Sequence, residues 1–253
     1  MSTSTGGADT GSGTVAHSYV YGITRATAPA PPEGTAGVGD PPRPVRLVTH
    51  GDLAALVSDA PSDLRPKRRD LLAHQGVLAL AGTAGPVLPM RFGSLSTDDE
   101  AIEQVLAERA KHYLERLEAL EGKGEYNVKA THDEEGVLHR VLADDPDLRA
   151  LSEANRTASG GSYEDKLRLG QLVVAAVQQR EARDAQLVRQ ALEAASDEVC
   201  PGPDSQGWLA NVSFLVAHGD GEAFLAAVDA LREEQPQLVL QVNGPLPPYS
   251  FVE

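Results

Sequence analysis

Seven histidines, one cysteine and 37 acidic residues are the groups from which this 253-residue chain would have to build a reactive centre. Tight metal sites need ligands at short spacings, such as histidines four residues apart on a helix or a CxxC pair, and neither pattern occurs. His132 followed by Asp133 is the nearest approach to a ligand pair. Cys200 lies in VCPGP, a turn-like context, with His218 the nearest downstream histidine. A thiol so placed reads as buried or incidental rather than as an activated nucleophile. His74 sits among leucines and reads as a core-edge histidine bonded to backbone. Asp144 and Asp145 are neighbours in sequence, which does not set two carboxyl groups across a cleft for acid–base work. Neither glycine-rich phosphate loop, the P-loop nor GxGxxG, is present. The residue types therefore imply no catalytic residue, no metal and no cofactor.

The charge balance narrows the partners. With 22 basic against 37 acidic residues the net charge is -15, and such a surface repels phosphate, so nucleic acid and anionic membrane are not expected partners. The excess acid is read first as solubility. One cysteine rules out an intramolecular disulfide and fits a reducing compartment. The opening MSTSTGGADTGSGTVAH lacks the basic start and apolar run of a signal peptide, and no stretch reaches the roughly 18 apolar residues of a membrane span. Cytoplasm is the expected compartment, and there the Asn155–Thr157 and Asn211–Ser213 glycosylation patterns carry no meaning.

The elements that must position any site are α and β in mixed order. Residues 1–17, small and polar, are expected as a disordered tail. In HSYVYGI, Tyr19, Tyr21 and Ile23 alternate as on a half-buried strand. Residues 26–44 hold six prolines and three glycines, which predicts a mobile loop between strands. VRLVTHGDLAALVSD is two apolar runs around His50, Gly51 and Asp52, the second either strand or short helix. RPKRRDLLAHQGVLALA predicts a helix carrying Leu71, Leu72, Val77, Leu78 and Leu80, with Lys67, Arg68 and Arg69 read first as a solvated face and, as the alternative, as a docking patch for an acidic partner. GPVLPMRFG predicts an edge or bulged strand, because Pro89 cannot donate to a ladder. That strand would put Leu88, Met90 and Phe92 on one face and Arg91, paired with a carboxylate, on the other. STDDEAIEQVLAERAKHYLERLEALEG predicts one helix with a Thr97/Glu100 capping box and a stripe of Ile102, Val105, Leu106, Tyr113, Leu117 and Leu120.

The second half begins with GEYNVKATH, a strand with Tyr126, Val128 and Ala130 in phase. A short helix plus loop follows around residues 143–161, and a Ser162/Asp165 capping box opens a helix predicted to reach about Val199. At about 50 Å it is longer than a small domain needs, so part of it should stand proud of the core. A strand on Val212, Phe214 and Val216, a helix on Phe224, Leu225, Val228 and Leu231, and a strand QLVLQV complete the pattern. The boundaries are an N-terminal α+β domain over 18–122 and a second domain over 123–253.

The chain ends in QVNGPLPPYSFVE, which is odd because aromatic residues make up only 4% of it. Gly244, Pro245, Pro247 and Pro248 set an extended, low-entropy path, so laying Tyr249 and Phe251 on the protein costs less than ordering a flexible tail. An integral clasp on the second domain is the expectation, rather than a free peptide.

Three stretches, YVYGI at 19–23, VLPMRFGS at 87–94 and GPLPPYSFV at 244–252, in this order resemble the gas vesicle GvpL/GvpF family. The loop at 26–44 looks like an insertion, and EYNVKA stands where that family often carries a tryptophan. The resemblance implies an α+β fold of two domains, the second a modified ferredoxin-like domain with a long helix. It implies a non-enzymatic accessory protein of the cytoplasm and the gas vesicle, whose partners are the apolar shell protein GvpA and other accessory proteins. Its motif positions, as structural or partner contacts, are Tyr19, Tyr21, Pro89, Met90, Arg91, Phe92, Gly93, Gly244, Pro245, Pro247, Pro248, Tyr249 and Phe251. A small-molecule enzyme or a ligand-binding regulatory module on a ferredoxin-like fold is the alternative; it requires convergent polar groups in one cleft.

Overall fold

The computed structural model describes residues 17–157, 162–203 and 207–253, and the chain divides into two compact units, Met1–Ala119 and Leu120–Glu253. Apart from His17, the expected N-terminal tail lies outside the described residues.

In the first unit, β1 (Ser18–Arg25), β2 (Arg46–His50) and β3 (Leu53–Asp59) precede α1 (Arg68–Ala84). Then come β4 (Val87–Pro89), β5 (Leu95–Ser96), α2 (Asp99–Glu108) and α3 (Ala110–Ala119). The sheet order is β2-β3-β1-β4, with β5 also on β1, and every pairing is antiparallel. The question left open at 53–59 resolves to a strand. A two-residue loop, Gly51–Asp52 with Gly51 at φ 56°, joins β2 to β3, and the β3 residues Leu53 to Ser58 are all buried.

Three expectations need correction here. A bulge between Val20 and Gly22 breaks the alternation of β1: Tyr19 and Tyr21 still share a face, but Gly22 and Thr24 rather than Ile23 continue it. A Cβ on Gly22 would meet Leu78 Cδ2 of α1 at 2.9 Å, so glycine there lets helix and strand close together. The segment 87–93 is a strand only as far as Pro89, at the edge of the sheet; its ladder ends with Met90 N–H donating to Tyr21 O at 2.8 Å. A turn follows, closed by Ser94 N–H on Arg91 O at 3.1 Å with Gly93 at φ 91°, so Met90 and Phe92 share no strand face with Leu88. Finally, the helix over 96–122 is two helices broken at Arg109 (φ -110°, ψ 15°), and its cap is Asp98, which accepts from Ala101 N–H at 2.8 Å, instead of Thr97. Ile102, Leu106, Tyr113 and Leu117 of the stripe are buried, while Val105 is exposed.

Nor is the proline-rich segment mobile. Ala36 bridges Pro44, and Val38 is fully buried. The prolines keep it out of a sheet without keeping it off the core.

The second unit runs β6 (Lys123–His132), α4 (Glu134–Asp144), α5 (Pro146–Thr157), α6 (Tyr163–Glu193), β7 (Glu198–Pro201), β8 (Ala210–Ala217), α7 (Gly221–Glu234) and β9 (Leu238–Leu246). Its antiparallel sheet has the order β7-β8-β6-β9, so the helical connections β6 to β7 and β8 to β9 each cross over one intervening strand. Tyr126, Val128, Phe214, Val216 and Leu240 form its inner face, packed on Val188 and Leu192 of α6 and Phe224, Val228 and Leu231 of α7. Leu225, expected on that face, is 42% exposed. VCPGP is not a turn at Cys200, which lies in the edge strand β7.

Helix α6 has the Ser162/Asp165 capping box but stops at Glu193 rather than near Val199. Its 31 residues span about 46 Å at 1.5 Å each. The first half does not stand free: Leu169, Val173, Ala176 and Val177 pack on Val137, Val141 and Leu148 of α4 and α5.

Phe224 is fully buried between Tyr126 and Phe214, with ring centroids 5.0 and 5.4 Å away. Phe224→Ala is expected to lower unfolding free energy by about 3–5 kcal/mol, read from urea unfolding at unchanged m-value.

Candidate functional site

Two of the three signature stretches meet in the first unit, on either side of α1. The carbonyl of Met90 only accepts, so His74 Nε2 carries the proton and donates to it at 3.1 Å. Neutral imidazole then accepts at Nδ1, and the Tyr19 hydroxyl donates to it at 2.8 Å. The same hydroxyl accepts from Gly93 N–H at 3.3 Å. The Tyr21 hydroxyl lies 2.9 Å from Ser58 Oγ and accepts from Val38 N–H at 2.9 Å. His74 stacks on Tyr21 at 5.6 Å and meets Tyr19 and Phe92 edge-on at 5.7 and 5.9 Å. Burial holds the His74 pKa below its ordinary value of 6.5, against the raising effect of Met90 O. His74 is thus a core residue rather than one at the core edge, 3% exposed and bonded to backbone.

The proline-rich segment closes this cluster from outside. Asp70, 3% exposed, accepts from Gly39 N–H at 2.9 Å and from the Arg69 guanidinium, while Arg69 also pairs with Asp40 at 2.6 Å. Burial pushes the Asp70 carboxyl up, but Gly39 and Arg69 outweigh it and hold it below the usual carboxylate range. A side chain on Gly37 would collide with the Tyr21 hydroxyl, so glycine is required where the segment passes over the ring. Arg91, expected beside a carboxylate, is instead exposed at the turn with no ion pair among the described residues. Pro89 is buried, Met90 and Phe92 are half-buried, and Gly93 supplies the turn.

The third stretch belongs to the second unit. Beyond β9, Tyr249–Phe251 form one 3-10 turn whose Ser250 donates to Glu125 twice: backbone N–H to Oε2 and hydroxyl to Oε1, both at 2.8 Å. Ser250 Oγ also lies 3.1 Å from Ser213 Oγ on β8. Phe251 is 2% exposed, and burial, with the Glu125 charge behind it, pushes the Tyr249 pKa up to about 12. Pro245 packs toward Gly124, where an added Cβ would lie 3.2 Å from it. The tail is therefore an integral clasp, hung on a carboxylate near the start of β6. Position 244 needs glycine: its φ is 159°, and a Cβ there would lie 2.8 Å from Glu125 O.

The remaining candidates do not assemble into chemistry. His132 Nε2 lies 2.9 Å from Asp184 Oδ2 in α6. Asp184 also takes Gln237 Nε2 at 3.2 Å and pairs with Arg180 at 2.9 Å, and Arg180 reaches Asp144. Burial raises the Asp184 pKa, but Arg180, His132 and Gln237 outweigh it, so the carboxylate stays ionised as a structural hub. Asp145 caps α5 through Leu148 N–H at 2.9 Å. Burial pushes the Cys200 thiol up, and Glu125, Glu198 and Glu253 push the same way, opposite to what a nucleophile requires. Among the described residues no cluster of three His, Cys, Asp or Glu side chains could hold a metal ion, and no helix is long and apolar enough to cross a membrane.

The residues that sequence reasoning missed are the buried Ser58, Asp70, Glu125 and Asp184 and the half-buried donor Ser250. Glu125 alone carried a signal, an acid next to Tyr126 in a strand.

A family model described as gas vesicle synthesis protein GvpL/GvpF matches residues 17–253. Gas vesicle protein F of Streptomyces sp. (strain CB03234) is 66% identical over 235 residues, covering 93% of this chain and 99% of the relative. Gas vesicle protein L of the same strain is 28% identical over 255 residues, covering 92% and 91%. The crystal structure of gas vesicle protein GvpF from Microcystis aeruginosa matches with a TM-score of 0.69 at 25% identity, covering 94% of this chain and 99% of that one. That of GvpF from Anabaena sp. PCC7120 gives 0.73 at 25% identity, covering 94% and 98%.

Two outcomes follow from this geometry. The lowered His74 pKa means that neutral imidazole stabilises the fold above pH 6.5, and that this stability is lost as pH falls through the lower folded value. Urea unfolding should show a loss of stability from pH 7.5 to 5.5, and His74→Gln, weaker at pH 7.5, should lose less. Deleting residues 247–253 strips Glu125 of both its Ser250 bonds and should lower the melting temperature by several degrees. An unchanged melting curve would refute the clasp.

Proposed function

The chain belongs to the gas vesicle GvpL/GvpF family, and on that premise we propose that it is a non-enzymatic accessory protein that binds the apolar shell protein GvpA, alone or with other accessory proteins, during vesicle assembly in the cytoplasm. A shell that excludes water needs subunits with a continuous apolar face, and such subunits aggregate before assembly unless that face is covered.

The observation that carries this reading is the outer surface of α6. Tyr163, Leu167 and Val174 are 82%, 53% and 56% exposed, and with Gly170 they repeat at intervals of four, three and four residues. That is the seam a helix presents to another apolar element. It flanks the row of Leu169, Val173 and Val177 that α4 and α5 cover, about a quarter of a turn round the helix. The Tyr19, Tyr21 and Ser250 hydroxyls of the signature stretches, in contrast, are paired within their own units, which supports a scaffold rather than a reaction centre. We also read the second unit as a modified ferredoxin-like domain: β6, α6, β7, β8, α7 and β9 follow the β-α-β-β-α-β order, to which α4, α5 and the clasp are additions.

Co-expression with GvpA tests the proposal. The chain should hold the shell protein in the soluble fraction and co-purify with it, and Leu167→Glu/Val174→Glu should abolish both while leaving its own melting curve unchanged. Equal aggregation of the shell protein with and without the chain, and no co-purification, would sink the reading.

A further inference from the structure

Helix α1 is turned inside out. Its inward face carries Asp70 and His74 beside Val77 and Leu78, while Leu72 is 56% exposed and Leu71 and Leu80 are 38% exposed each. From Leu71 to Gly85 no residue bears a permanent charge, in a chain of which 23% is charged. Rotation cannot relieve this, because Asp70 is tied to Gly39 and His74 to Tyr19 and Met90. A surface helix normally shows water its polar side, and an uncharged outer stripe is the sign of a covering partner.

The outer stripe has two distinct ends. Near its last turn, Leu80 and Ala84 face Pro29, Pro31 and Pro32 across a cavity of about 210 Å³ with buried Leu56 inside, a size that suits one apolar side chain. Arg65, just before the helix, and Arg68, in its first turn, are exposed and make no ion pair among the described residues, whereas Lys67 and Arg69 are held by Asp63 and Asp40. Arg68, Leu72, Gly76, Ala79 and Thr83 lie along one side of the helix, and a Cβ on Gly76 would meet nothing within 4 Å, so a second backbone can approach closely there. A second copy of α1 does not fit. Antiparallel pairing would set each Arg68 against an uncharged end, and parallel pairing would set it against another arginine.

We propose that the outward face of α1 docks an amphipathic helix of a partner protein, which seats an apolar or aromatic side chain in the cavity beside Leu80 and turns carboxylates toward Arg65 and Arg68. Arg68 and the cavity at Leu80 and Ala84 lie about 20 Å apart along α1, so the partner segment spans about four turns. This surface belongs to the first unit and does not rest on the reading of α6.

The test uses the full chain and a fluorescein-labelled, helix-stapled peptide matching α1 in length, with an apolar stripe, a phenylalanine at one end and glutamates at the other. Fluorescence anisotropy should show saturable one-to-one binding. Leu72→Glu/Leu80→Glu should weaken it about tenfold or more. Arg65→Glu/Arg68→Glu should weaken it too and should restore binding to a peptide whose glutamates are replaced by lysines. Both pairs of sites are exposed, and unchanged thermal melts confirm that each variant is folded. Absence of saturable binding, equal binding by the leucine variant, or indifference to the charge swap would overturn the proposal. So would a concentration-dependent dimer in sedimentation that Leu72→Glu/Leu80→Glu dissolves, since a second copy would then be the occupant.

Discussion

A buried polar atom without a partner costs about 1–3 kcal/mol, and in the first unit the atoms under that constraint are the two nitrogens of His74. Placing one on the Tyr19 hydroxyl and the other on the Met90 carbonyl sets the rotation of α1 about its axis. It also anchors the chain just before the Arg91–Ser94 turn and holds β1 against the helix. Everything outward follows from that rotation: with Asp70 and His74 inside beside Val77 and Leu78, the other leucines, Leu71, Leu72 and Leu80, have nowhere to go but out. The arrangement is stable because each inward polar group is satisfied, not because the helix buries its most apolar side.

The second unit meets the same constraint with carboxylates. Glu125 and Asp184 stay buried because more than one donor converges on each: the backbone N–H and hydroxyl of Ser250 from the tail, and Arg180, His132 and Gln237 from α6, β6 and the residue just before β9. Each acid joins segments far apart in sequence, Glu125 and Ser250 being 125 residues apart. Removing a donor exposes a buried charge, which costs more than the lost hydrogen bond itself. The signature stretches and the residues they touch are therefore best understood as closures of two separate sheets. The exposed apolar residues of α1 and α6 lie elsewhere, on helix faces that no signature stretch contains.

Much of this architecture was legible. The alternation in EYNVKATH and NVSFLVA and the Ser162/Asp165 box all marked elements that exist, because local periodicity and capping act over a few residues. The failures have a common cause. Apolar spacing groups Leu71, Leu72 and Leu80 with Val77 and Leu78, whereas two hydrogen bonds from outside the helix decide which of them face inward. VLPMRFG lost its strand after Pro89 because Gly93 and Ser94 turn the chain back. VCPGP gained one because β8 offered an unpaired edge, a partner that no local window contains.

By itself, then, the sequence determined the types and order of most elements, the acidic charge and the family, since these depend on short-range pattern and composition. It also determined that the tail would be inexpensive to order, because prolines restrict the unfolded chain whatever the fold. The tertiary structure alone decided which polar residues are buried and paired, which face of α1 and of α6 meets water, and where the Tyr249–Phe251 turn is fastened. Those outcomes depend on donors and acceptors brought together across tens of residues, and the free energy of such a pair exists only once the fold has formed it.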